Sequence, residues 1–281
     1  MYGKDSKKNY FCFNITITRL QTITTWALLI LVLVNTFCMK HDYAVIVPMA
    51  NEQQDFIPFV EKVKEVLDET PGGKVYLIVD KVSVDNTREL CENLQKEDPR
   101  FQLVWSPENK NVVDAYIKGY RVALEHQHEI IIEMDAGLSH DPSAIPLFLR
   151  VLNEGNHCAF GSRFINGGSI TDSNWKRTVL SKVGTILANL LLGTRMFDMT
   201  SGFQGFHRDV VKKFAHYPLL SKAHFYQTEL RYLLRHTRFV EIPIHYKAPS
   251  PSVSKKAIKN SIQVLFHYFL KRISFQSTRI S

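Results

Sequence analysis

The chain has 281 residues, room for one large domain or two small ones. At 45% hydrophobic and 22% charged it has an ordinary globular make-up, which excludes a disordered tail, a collagen and a polytopic membrane protein. Lys plus Arg number 35 against 27 acids, a net charge of +8, so an anionic partner is expected.

Residues 1–39 come first as a hydrophobic N-terminal segment. Lys4, Lys7, Lys8 and Arg19 stand there against one acid, Asp5, ahead of an apolar run from Trp26 to Met39. Three readings are open. The run is a signal anchor of marginal length, a cleaved signal peptide without a clean A-x-A site, or an extension upstream of a true start at Met39. The third is favoured, because MKHDYAVIVP is a natural opening for a domain that begins with a strand. A positive-inside bias would also push an anchored domain out of the cytoplasm.

From Tyr43 the pattern alternates between strand and helix. Tyr43–Val47, Val75–Val79, Phe101–Trp105 and Glu129–Met134 are short apolar runs, read as buried strands. Phe56–Leu67, Arg88–Leu94 and Val112–Glu125 between them have helical spacing. This predicts an α/β, Rossmann-like fold, a mostly parallel sheet with helices on both faces. Residues 40–252 form this predicted domain, and 253–281 a basic amphipathic tail. In the tail Lys255, Lys256, Lys259, Lys271, Arg272 and Arg279 meet no acid. Ile258, Ile262, Leu265, Phe266, Phe269, Leu270 and Ile273 recur there at helical spacing. Such a helix suits a membrane surface, and the alternative is that it covers the core. With the charge at the two ends, the nearly neutral middle predicts no nucleic-acid groove. Cys12, Cys38, Cys91 and Cys158 are scattered, with no C-x-x-C, which predicts reduced thiols in an intracellular chain.

Parallel sheets bind ligands beyond the carboxyl ends of their strands. There the chain places Glu52, Asp80 and Asp135, after the first, second and fourth strands. Carboxylates gathered at one crevice repel one another unless a cation or donors occupy it. Mg²⁺ or Mn²⁺ shared with substrate phosphates meets that need. Asp85 reads instead as a helix cap. P-loop, dinucleotide G-x-G-x-x-G and G-x-S-x-G patterns are absent, which disfavours an NTPase, a dehydrogenase and an α/β-hydrolase.

Seven blocks in order, over about 210 residues, carry a resemblance. They are IVPMANE (46–52), IVDKVSVDNT (78–87), EMDAGLSHDPSAIP (133–146), GSRFINGG (161–168), NWKRTVLSK (174–182), DMTSGFQGF (198–206) and EIPIHY (241–246) with Ser254-Lys255. Together they resemble the inverting family 2 glycosyltransferases of the GT-A fold, and within them the dolichyl- or polyprenyl-phosphate mannosyltransferases. The resemblance implies transfer of a hexose, mannose foremost, from a nucleotide diphosphate sugar such as GDP-mannose to a polyprenyl or dolichyl phosphate. It implies work at the cytoplasmic face of a membrane, held peripherally or by one N-terminal anchor.

By position, it implies that Pro48, Glu52 and Asp80 hold the nucleoside. Asp135 and Ser139 would bind the metal and diphosphate. Arg163, Arg177, Ser181 and Lys255 would meet the acceptor phosphate or the donor diphosphate, and Asp135, Arg163 and Arg177 would carry catalysis. Gly161, Gly167 and Gly168 would let backbone approach a ligand. His140 is the nearest candidate acid or base, with a structural histidine as the plainer reading. The chain departs from the family at Ala50, Lys81, Gly137 and Pro249. Gly137 replaces the second acid of the D-x-D element and Lys81 the second acid of the D-D pair. These departures keep two alternatives open: a GT-A enzyme with a hydroxyl acceptor, and a catalytically impaired nucleotide-sugar binding relative.

Overall fold

Period-two burial shows why the apolar runs become strands. In β1 (Tyr43–Met49) Tyr43, Val45 and Val47 face one way and Ala44 and Ile46 the other, all of them buried. A strand buried on both faces needs cover on both, and the intervening helices supply it. The computed structural model describes residues 42–171, 175–247, 254–276 and 278–280, without the side chains of Lys176 and Arg177. The N-terminal segment, with the start proposed at Met39, and Pro249 lie outside the described residues.

In chain order, α1 (Phe56–Glu69), β2 (Gly73–Val79), α2 (Thr87–Glu97), β3 (Phe101–Trp105), α3 (Val112–Glu125) and β4 (Ile130–Glu133) follow β1. Then come a 3₁₀ turn at Pro142–Ala144, α4 (Ile145–Asn153), β5 (Cys158–Ser162), β6 (Ser169–Thr171) and α5 (Trp175–Leu192). The chain closes with β7 (Gln204–His207), α6 (Arg208–Phe214), α7 (Tyr226–Leu233), β8 (Phe239–Pro243), β9 (His245–Lys247) and α8 (Lys255–Ile273). The main sheet has the order β3-β2-β1-β4-β7-β5-β8, and β6 pairs with β9 in a small second sheet. Only β7 runs antiparallel to its neighbours in the main sheet. The expected mostly parallel, helix-covered architecture is therefore present.

On one face α3 packs Tyr116 and Tyr120 over Ile46 and Tyr76. The contact is close: a β-carbon on Gly119 would lie 2.2 Å from Ile46 Cγ2. On the other face α1 buries Phe59 and Val63, and α4 buries Phe148, against Val45 and Leu77. Each large side chain buried this way contributes about 1.5–3 kcal/mol relative to exposure. Cys91 and Cys158 are free thiols within these two cores.

The tail folds onto the domain. Ser254 caps α8, its Oγ accepting from Ala257 N at 3.2 Å. The helix docks through Val264 and Tyr268, and the Tyr268 hydroxyl donates to Glu229 at 2.7 Å. Leu265 packs partly against the core. Ile258, Ile262, Phe266, Leu270 and Ile273 stay exposed. The apolar stripe read from the sequence thus lies beside the docking edge rather than on it. Helix α5 packs against α8 and shows the same character, with Leu190 71% exposed and Leu180 and Ile186 also exposed. Among the described residues no helix is long and apolar enough to cross a membrane.

Candidate active site

The loops after β1 and β2 hold one another. Asn51 sits at φ 60°, a conformation Asn tolerates better than most residues. Its Nδ2 donates to Val82 O at 3.2 Å and its Oδ1 accepts from Val84 N at 3.0 Å. Glu52 N donates to Thr87 Oγ1 at 2.8 Å. Asp85 accepts from Thr87 N at 3.0 Å and Gln53 N at 3.1 Å. The N-cap of α2 is Asn86, so Asp85 closes a turn one residue ahead of the expected cap position and ties down the first loop. Asp80 Oδ1 accepts from Val82 N at 2.8 Å, which folds the second loop back on itself.

These loops and the β4 end enclose a pocket of about 400 Å³. Pro48, Glu52, Asp80, Asp135 and Ser139 line it, with Asn111, Tyr116 and His224. Its size is that of a ligand pocket. The three strand-end acids are therefore brought to one place. Burial, and then the charges of Asp55, Asp135 and Asp85, push the Glu52 carboxyl up to about 7. Gly137 has φ +70°, and a β-carbon there would lie 3.1 Å from Glu52 Oε2. The space beside the missing second D-x-D acid is thus bordered by another carboxylate. No group of three or more His, Cys, Asp or Glu residues poised to hold a metal exists among the described residues. The oxygen donors Asp135 and Ser139 suit a hard cation that takes its remaining ligands from substrate phosphates and water. On that chemistry the residues fit Mg²⁺ or Mn²⁺.

Asp135 is oriented from two sides. Tyr116 donates its hydroxyl proton to Asp135 Oδ1 at 2.5 Å, and Asp135 N donates to His140 Nδ1 at 3.1 Å. His140 is fully buried, and burial lowers its pKa. With Nδ1 accepting, the neutral ring carries its proton on Nε2, which has no hydrogen-bond partner. His140 is a loop-fixing residue by this geometry, in line with the plainer reading of it.

Beneath the pocket runs a buried polar layer that the sequence reading did not anticipate. Glu133 accepts from Tyr120 and Tyr226 at 2.5 Å each and from Gln204 Nε2 at 2.6 Å. Gln204 Oε1 accepts from Arg231 Nε at 3.0 Å. Arg231 also donates to the carbonyls of Asp198 and Ser201. Two signals pointed to this layer: an acid inside the apolar run EIIIEM, and tyrosines one helical turn apart on α3.

The layer ends at Arg163. Its Nε and Nη2 donate to the Asp198 carboxylate at 2.7 and 2.9 Å, and Nη2 also reaches Thr200 Oγ1 at 2.6 Å. Nη1 has no hydrogen bond among the described residues. Burial alone would raise the Asp198 carboxyl, but the hydrogen bond and charge of Arg163, with Arg231, hold it at about 2. Arg163 is 8% exposed, a buried arginine rather than a solvated one.

Arg163, Ser181 and Lys255 do not line the pocket. Ser181 is half-buried on α5 and Lys255 exposed at the start of α8. Arg177 lies on α5, its side chain outside the described residues. Lys81 is exposed and in no ion pair among those described. The glycines of GSRFINGG serve chain packing more than ligand approach: a β-carbon on Gly161 would meet Phe203 O at 2.9 Å, and one on Gly168 would meet Ser162 O at 2.6 Å.

A family model described as glycosyl transferase family 2 matches residues 44–214. The polyprenol monophosphomannose synthase of Mycolicibacterium smegmatis is 29% identical over 79% of this chain and 83% of its own. The undecaprenyl-phosphate mannosyltransferase of Micrococcus luteus is 26% identical over 72% of this chain and 82% of its own. Among solved structures, the glucosyl-3-phosphoglycerate synthase of Mycobacterium tuberculosis with Mn²⁺, UDP-glucose and phosphoglyceric acid shares the fold at a TM-score of 0.60 and 14% identity. That match covers 83% of this chain and 80% of the other. A strand-end acidic pocket on a helix-covered, mostly parallel sheet, with a family match across more than half its length, places this chain in glycosyl transferase family 2.

Proposed function

We propose that the chain transfers a hexose, mannose foremost, from a nucleotide diphosphate sugar to a polyprenyl or dolichyl phosphate, with inversion at the anomeric carbon. The convergence of Glu52, Asp80, Asp135 and Ser139 on one pocket carries the reading. The names of the two relatives direct it to mannose and a lipid phosphate. In this proposal Pro48, Glu52 and Asp80 hold the nucleoside. Asp135 and Ser139 hold the donor diphosphate together with Mg²⁺ or Mn²⁺, which when bound offsets the charge on the departing diphosphate. Arg163, Arg177, Ser181 and Lys255 form the acceptor side.

The acceptor phosphate has a second pKa near ~6 and is already an anion at neutral pH. No strong base is then needed, and the chain's work is positional and electrostatic. Asp198 holds Arg163 in one orientation through Nε and Nη2, which leaves Nη1 for a ligand in this proposal. A hydroxyl acceptor would require a base, and Asp198, buried, ion-paired and held at about 2, is a poor one.

The test is a donor panel offered with a short polyprenyl phosphate, read by mass spectrometry of the lipid. A mannosyl lipid that forms from GDP-mannose and is lost on adding EDTA is expected. Nucleotide-sugar binding with no lipid product would favour the impaired relative, and transfer only to a hydroxyl compound would favour the other alternative.

The membrane surface belongs to the same proposal, at the cytoplasmic face, with the chain held peripherally or through residues 1–39. Leu180, Ile186 and Leu190 on α5 and Ile258, Ile262, Phe266 and Leu270 on α8 are exposed on two helices in contact, and apolar side chains exposed together suit an interaction surface. Sedimentation with anionic vesicles is expected to pellet the protein. Leu190→Glu with Phe266→Glu is expected to leave most of it in the supernatant. Equal pelleting of the two proteins would leave the patch without this role.

A further inference from the structure

A second, smaller pocket, of about 210 Å³, lies away from the first. Gly193, Thr194, Arg195, Met196, Arg235, His236 and Phe239 line it. Phe239 opens β8, which runs parallel to β5, and β5 and β4 each pair antiparallel with β7. The start of β8 is therefore at the sheet edge opposite the carboxyl ends of β1, β2 and β4. This pocket is separate from the strand-end site and shares no lining residue with it.

Positive charge converges there without an acid. Arg195, Arg235 and His236 line the cavity. The Arg272 guanidinium packs on Gly193, where a β-carbon would lie 2.4 Å from its Cζ. Burial lowers the pKa of Arg235, Tyr232 raises it, and the charges of Arg272 and Arg279 lower it further. Among the described residues none of Arg195, Arg235, Arg272 and Arg279 is in an ion pair with a carboxylate.

Helix capping accounts for part of this. Arg272 Nη1 donates to the carbonyls of Leu190 and Leu191 at the end of α5, at 3.0 and 2.9 Å. Arg235 Nη1 donates to Tyr232 O near the end of α7 at 2.7 Å, and to Thr278 O at 2.8 Å. Carbonyls satisfy N–H groups but neutralise little charge. The Arg235 guanidinium also lies 4.1 Å over the Tyr232 ring, and Arg195, Arg272 and Arg279 are exposed, so positive charge at this edge is open to an anion from solvent. Guanidinium groups pair best with phosphate or carboxylate oxygens, and the concave, compact space suits one phosphate group rather than a nucleotide sugar.

We propose that this pocket binds a phosphate group, carried either by an anionic lipid headgroup or by a free phosphate. Neither the activity proposed above nor the strand-end site is needed for the inference. Its place at the C-terminal end of α5, beside the exposed apolar patch, makes a lipid headgroup the favoured source.

The test uses the full-length protein and inorganic phosphate, followed by calorimetry at constant ionic strength. Arg195→Gln with Arg235→Gln is expected to weaken phosphate binding at least about tenfold, because charge-assisted bonds are the strong ones. Arg279→Gln, which removes charge from an exposed side chain, is expected to weaken it by a smaller factor with an unchanged melting curve. It keeps the test valid if the double variant misfolds. Wild-type protein that binds no phosphate, or variants that bind it as wild type does, would overturn the proposal. Vesicles containing phosphatidic acid that displace the phosphate identify the headgroup as the source. Vesicles that fail to displace it identify a soluble phosphate.

Discussion

Asp198→Asn is expected to destabilise the protein by about 3–5 kcal/mol, the usual cost of removing one partner of a buried ion pair. Asp198 is completely buried and accepts from Arg163 through both carboxylate oxygens. An asparagine would leave Arg163 without its ion-pair partner and would remove the first of the carboxylates that act on the fully buried Arg231. At this chain length each kcal/mol moves the melting temperature by about 2–4 °C, so a fall of the order of 10 °C is expected by circular dichroism. Adding Arg163→Gln should recover part of the loss, since the charge to be neutralised goes too. The pH dependence has a definite sign. Asp198 is held at about 2, below an ordinary carboxyl, so its contribution is complete above about pH 4 and fades as pH falls toward 2. The gap between wild type and Asp198→Asn should narrow over that window. A variant that melts like wild type at neutral pH would remove the ion pair from any structural role. Because Asp198 also orients Arg163, turnover should fall even where the variant remains folded.

Asp135→Asn is expected to lower turnover by about 10²–10³-fold, the range for loss of one electrostatic stabiliser in an active site. Folding should change little. Asparagine keeps an oxygen to accept from Tyr116 and the same backbone bond to His140. What it loses is the charge that faces the pocket. Tyr116→Phe should have a smaller effect, about tenfold, because it frees the Asp135 side chain to turn without neutralising it. Both are measured with GDP-mannose and a short polyprenyl phosphate under a titration of Mn²⁺. Turnover of Asp135→Asn near that of wild type would remove Asp135 from the proposed diphosphate site.

Much of this site was legible in the order of the residues. Short apolar runs closed by Pro48, Asp80 and Asp135 are enough to predict parallel strands and the edge at which ligands bind. A parallel strand buried on both faces can be little else, and its carboxyl end is where the chain first regains water. The family blocks were likewise legible, since each is a contiguous string.

Only the folded chain decides which polar side chains meet across distant segments. Glu133, Gln204, Tyr226 and Arg231 join in one layer because β4 lies beside β7 and α7 packs over both. No local pattern encodes that adjacency. The same holds for Arg163, whose side chain is as long and polar as any surface arginine until Asp198 arrives from 35 residues away. It holds too for α8, where helical periodicity defined an apolar stripe but the docking face was set by Val264 and Tyr268. Periodicity tells a helix where its apolar side chains are. Which of them the domain covers depends on the shape and the partners of the surface that receives the helix, here the Glu229 carboxylate waiting for the Tyr268 hydroxyl.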